Sequence, residues 1–226
     1  MPESKIQNDF NQRLLEFLAE SPTPFHAVDA IKRRLEAVGF ESLLESEEWR
    51  MEVGGRYYVC RNDSSIIAFV YGRQSLQECG IRMVGAHTDS PCLKVKPQPE
   101  VTAKGYFQLG VETYGGVLLN PWFDRDLSLA GRVTYRTDQG LVTSELVDFE
   151  RAIATIPSLA IHLDREANKN RSINPQTDIV PILMQVDAGE TTDFRALPAD
   201  QLASNGGKDI EKVHESTPEF NDPQAP

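Results

Sequence analysis

Between Lys5 and Glu20 the apolar residues Ile6, Phe10, Leu14, Leu15, Phe17 and Leu18 recur at helical spacing, and Ser21-Pro22-Thr23-Pro24 ends the pattern. One amphipathic helix is predicted there. Thr23 then offers a capping hydroxyl and Pro24 a pre-set φ for a second helix, with Phe25, Val28, Ile31, Leu35 and Val38 on its apolar face and its end near Gly39. The next apolar runs are short and nearly continuous: Arg56 to Cys60, Ser65 to Gly72 and Ile81 to Ala86, the first two separated by the turn-like Arg61-Asn62-Asp63-Ser64. They predict strands buried beneath helices. From Lys94 the texture changes to alternating, glycine-punctuated stretches with a turn at Asp138-Gln139-Gly140, which predicts a second unit of antiparallel strand. After Asp187 the apolar content falls away, and residues 197–226 are expected to form a disordered tail.

Composition narrows the classes. The 226 residues are 40% hydrophobic and 25% charged, in the range of an ordinary folded, soluble protein. A formal net charge of −11, with no clustered Lys and Arg, speaks against a nucleic-acid partner. No run approaches the ~20 apolar residues of a membrane span, and the N-terminal residues lack the basic-then-apolar order of a signal peptide. The expectation is a cytoplasmic protein with no membrane partner. Cys60, Cys79 and Cys92 show no Cys-x-x-Cys spacing, so they are expected to be reduced, structural thiols.

The candidate chemistry lies in the stretch GAHTDSPCLKVKP, from Gly85 to Pro97. A histidine at the carboxyl end of a buried strand points into the crevice where open α/β sheets bind ligands, which suits His87 to a metal. Asp89, two residues on, is placed to accept a hydrogen bond from the second ring nitrogen of His87 and so orient it. A His-x-Asp pair alone equally describes a solvated surface turn. His26, in the first turn of the second helix, reads as a neutral structural or capping histidine, or as a site residue. Asp124, Arg125 and Asp126 read as structural salt links or as catalytic carboxylates, and His214 reads as solvated.

The match to known sequences extends well beyond those two residues. SPTPFHAV, GGRYYVCRNDSSIIAF, VGAHTDSPCLKVKP, LGVETYGG, PWFDRDLSLAGRV and IPSLAIHLDR together resemble the aspartyl aminopeptidases, the M18 group of zinc metallopeptidases, from about Leu14 to about Arg195. The resemblance implies an α/β fold: the N-terminal part of an α/β/α metallopeptidase catalytic domain in residues 1–97, followed by an inserted β-rich dimerisation domain in residues 98–196. It implies that His87 binds one of two active-site zinc ions and that Asp89 orients it. It also implies that His162, otherwise a half-buried strand histidine, reaches a partner subunit's site to stabilise the substrate carbonyl. The expected substrate is a peptide that loses an N-terminal, often acidic, residue, and the expected assembly is a homo-oligomer built from dimers. The family's further ligands, including a Glu-Glu pair, follow the inserted domain; here the only such pair, Glu47-Glu48, precedes His87. The alternative expectation is therefore a truncated, catalytically incomplete relative that joins oligomers through its dimerisation domain.

Overall fold

The computed structural model describes residues 2–137, 139–187, 192–206 and 210–223, and divides the chain into two compact units with the boundary between Ser90 and Pro91. The boundary precedes the expected one after Pro97, because Pro97 lies inside a long strand of the second unit.

In the first unit, α1 (Pro2–Ala19) is followed by α2 (Pro24–Glu36). The start of α2 is set by chemistry legible in the sequence: Thr23 is extended and accepts a hydrogen bond from the His26 amide, and Pro24 occupies the first turn. Its end is set by Gly39, at φ +81°, a left-handed conformation that glycine adopts without a Cβ clash. Phe25, Ala27, Val28 and Ala30 are its buried residues. The helices meet through polar and aromatic contacts: Arg33 pairs with Glu20 at 3.2 Å, and the Arg34 guanidinium lies 4.8 Å from the Phe17 ring centre. The apolar stripe Ile6, Phe10, Leu14 and Leu18 of α1 stays exposed.

A three-stranded sheet follows. Strand β1 (Glu41–Ser42) pairs in parallel with β2 (Arg56–Arg61), and β2 pairs antiparallel with β3 (Ser65–Val70). Asn62 and Asp63 close the hairpin with positive φ, a conformation their side chains tolerate better than most. Tyr57, Tyr58 and Val59 are buried, whereas Ile67 and Val70 on edge strand β3 are exposed. After the short helix α3 (Leu76–Cys79), the strand expected from Ile81 to Ala86 does not form. Ile81, Met83 and Val84 are 70, 86 and 102% exposed. An apolar run becomes a strand only when a neighbour supplies a ladder, and no described strand pairs with this one.

The second unit is one six-stranded antiparallel sheet. Its strands are β4 (Cys92–Ala103), β5 (Tyr106–Tyr114), β6 (Ser128–Thr137), β7 (Val142–Asp148), β8 (Ile182–Gln185) and β9 (Ile210–Asn221), in the order β7-β6-β9-β4-β5-β8. Asp138, part of the expected turn between β6 and β7, lies outside the described residues; Gly140 of that turn has φ +79°. Leu93, Phe107, Leu109, Leu129, Val133, Tyr135, Ile156, Phe194, Leu202 and Phe220 belong to a single buried cluster.

The disordered tail expected from residue 197 is instead helix α4 (Ala196–Gly206) and strand β9. Strand β9 sits between β6 and β4, with Leu129↔Phe220 on one side and Leu93↔Phe220 on the other. Its central position is held by ladder pairing, by the buried Val213 and Phe220, and by an ion pair of the buried Glu219 with the partly exposed Lys94 at 3.1 Å. Gly131 faces Pro218 so closely that a Cβ there would lie 2.6 Å from the Pro218 Cα.

Candidate functional site

His87, Thr88 and Asp89 form a local turn in the first unit. The Nδ1 atom of His87 lies 2.6 Å from the backbone oxygen of Asp89. A carbonyl oxygen only accepts, so Nδ1 carries the proton, and in the neutral ring the lone pair is on Nε2. That tautomer leaves Nε2 free to bind a metal. Asp89 meets His87 through its main chain: its carboxylate Oδ1 is 3.7 Å from Nδ1, beyond hydrogen-bond length.

Thr88 supplies what the sequence reading missed. Its hydroxyl donates to the Ser64 carbonyl at 2.7 Å, tying the turn to the loop of the β2–β3 hairpin. The side chain of His87 is 78% exposed, so Nε2 is open to a ligand.

The other candidates separate from this turn. His26 is a cap residue: its Nδ1 is 2.8 Å from the Thr23 hydroxyl, and burial lowers its pKa from 6.5 to about 4, so it is neutral at pH 7. Asp124 accepts a hydrogen bond from the Ser158 amide at 2.8 Å, which holds its carboxyl below the usual range, and Arg125 pairs with Asp222. These are structural links within the second unit. His162 is exposed, in a turn closed by the Leu163 amide on the Ala160 carbonyl at 2.8 Å, not on the expected strand. Glu47 and Glu48 lie in an exposed stretch between β1 and β2.

A zinc ion takes three or four protein donors in a tetrahedral shell. No group of three or more His, Cys, Asp or Glu side chains among the described residues is arranged to hold a metal. The described residues thus fit one ligand of such a shell and its orienting partner, not a complete site.

A family model described as "Aminopeptidase I zinc metalloprotease (M18)" matches residues 17–217. The chain belongs to the M18 aminopeptidase family. The match reaches past Arg195, where the resemblance was expected to stop, and takes in most of β9. The "Probable M18 family aminopeptidase 2" of Pseudomonas fluorescens (strain SBW25) is 59% identical over 220 residues, 97% of this chain and 51% of that protein. The counterpart in Ectopseudomonas mendocina is 62% identical over 198 residues, 88% of this chain and 46% of the relative. The chain spans about half the length of the curated M18 relatives it matches. Among solved structures, the cryo-EM structure of the Ape4 and Nbr1 complex aligns with TM-score 0.83 and 36% identity, over 94% of this chain and 44% of that one. The fold is accordingly the mixed α/β fold of M18 aminopeptidases. Among the described residues no helix is long and apolar enough to cross a membrane.

Proposed function

We propose that this chain supplies His87 as a zinc ligand, and Asp89 as the residue that orients it, to an aminopeptidase that removes N-terminal residues, acidic ones among them, from peptides. The observation that carries the reading is the His87 to Asp89 hydrogen bond, which leaves Nε2 aimed at solvent inside a segment matched by the M18 family model. Paired zinc ions supply a Lewis acid for the scissile carbonyl and an activated water. The part of this chain is narrower: to present one imidazole in the right tautomer, on a turn pinned by Thr88.

In the same reading His162 acts on a partner subunit's substrate carbonyl, and the protein works in the cytoplasm as a homo-oligomer built from dimers. Support for assembly comes from a relative of known structure, an mApe1 dodecamer from S. cerevisiae, 27% identical with TM-score 0.74 over 96% of this chain and 48% of that one.

A second reading is that the 226 residues act by association, joining oligomers without turnover. It is favoured by the exposed Ile67, Val70, Ile81, Met83 and Val84 of the first unit, an amount of bare apolar surface that invites a partner.

The deciding experiment is zinc-supplemented hydrolysis of aspartyl, glutamyl and leucyl anilides by the purified chain and by His87→Ala. Turnover lost in the variant supports the first reading. Absence of turnover in both, together with self-association in sedimentation, supports the second.

A further inference from the structure

Among the described residues strands β4 and β9 share two register pairs, Leu93↔Phe220 and Lys94↔Glu219, and then part. Pro97 on β4 and Pro218 on β9 have no amide hydrogen to donate, so neither can extend the ladder beyond the split. The gap that results lies wholly within the second unit and has a volume of about 240 Å³. One end is closed by the segment leading into α4: the Arg195 guanidinium donates to the Pro97 carbonyl at 3.2 Å, and the Phe194 amide donates to Glu100 at 3.3 Å.

Among the described residues, Lys94, Lys96, Arg195 and His214 border it together with the hydroxyl residues Ser216 and Thr217. Each of the three permanent cations also meets a carboxylate. Glu219 pairs with Lys94 at 3.1 Å, Glu112 with Lys96 at 3.3 Å, and Glu100 approaches Arg195 only to 3.9 Å. Lys94 is further fixed over the Tyr114 ring at 3.8 Å, and Lys96 by Gln176 at 2.7 Å. Such prepositioned donors lose little freedom when they bind.

We propose that the β4–β9 gap binds a small oxyanion, a phosphate or a carboxylate, with Arg195 as the principal donor and His214 and the Ser216 and Thr217 hydroxyls completing the contacts. Arg195 is the least neutralised of the three permanent cations, and its planar fork suits two oxygens of one group. The site is separate from the His87 turn and does not depend on the zinc reading.

Isothermal titration calorimetry of the full chain with inorganic phosphate, and separately with glutamate, tests it against chloride at equal ionic strength. The expected result is saturable heat with at least one of the two, weakened about tenfold in Arg195→Gln, the effect of losing one charge-assisted hydrogen bond. Phosphate alone, glutamate alone or both would identify the source of the oxyanion, and each supports the site. His214→Gln, at an exposed strand position, provides a second variant if Arg195→Gln fails to fold, and is expected to weaken binding severalfold. Absence of saturable heat with both anions overturns the proposal, as does unchanged affinity in the folded variants.

Discussion

The second unit encloses its core, with Phe107, Leu109, Leu127 and Phe220 buried on a six-stranded sheet; the first buries Val28, Tyr57 and Tyr58 but leaves Ile67, Val70, Ile81, Met83 and Val84 in water. Hydrophobic content does not explain the difference, since the exposed run from Ile81 to Val84 is as apolar as many strands. Ladder partners explain it. Every long strand of the second unit has a neighbour, whereas in the first unit the sheet stops at β3 and the apolar segment after it has none among the described strands. Apolar sequence is a demand for burial, and pairing decides whether that demand is met.

The strongest way to break the comparison is to remove the advantage of the second unit. Gly131→Val drives a side chain into the Pro218 backbone, which cannot move aside while β9 stays paired on both edges. A loss of about 3 kcal/mol is expected in the unit containing β9, with the first unit's unfolding unchanged. Denaturant unfolding followed by residue-resolved hydrogen exchange checks it; loss of protection in both units together would show that they unfold as one.

Acid separates the units next. The pKa of His26 in the fold, about 4, lies below its ordinary 6.5, so between these values the unfolded chain binds more protons and stability falls with falling pH. The first unit should lose up to about 3 kcal/mol from pH 6.5 to 4, and His26→Gln should flatten that dependence. Asp148, in the second unit, moves the opposite way: burial raises its carboxyl above 3.8 against a hydrogen bond from the Glu150 amide, so falling pH relieves a buried charge there. Thermal melts of both proteins across this range would show it, and a pH dependence retained in His26→Gln would remove His26 from the account.

A smaller effect, about 1 kcal/mol of local stability, is expected for Thr88→Val, which cuts the tether to Ser64. Amide exchange at residues 86–90 should quicken while the strands of the second unit are unaffected. The smallest change is for Met83→Glu with Val84→Lys, within about 0.5 kcal/mol of wild type, because neither residue packs against anything that the substitution removes. Dye binding to exposed apolar surface should fall; a large destabilisation would mean that this segment is packed.

These contrasts also mark what the sequence can carry. Thr23, Pro24 and Gly39 announce α2 because capping and positive φ are local requirements. The hairpin around Asn62 and Asp63 is legible for the same reason. Strand β9 is not, since Lys212, Glu219 and Pro218 disguise it and only partners about seventy to a hundred and thirty residues away give it a place. That His87 and Asp89 lie together follows from their spacing, but the atom of Asp89 within hydrogen-bond reach of the imidazole is a backbone oxygen, on which residue identity is silent.

The place of β9 has a consequence for synthesis. A strand at residues 210–221 that fills the middle of the sheet cannot be laid down until long after β4 and β6 have been synthesised. Until then the inner edges of β4 and β6 face each other without the element that joins them, and closing the sheet requires contacts of large sequence separation, which form slowly. At ~5–20 residues per second, translation leaves those edges open for several seconds. During that interval the unpaired edges of β4 and β6 are open to edge-to-edge aggregation.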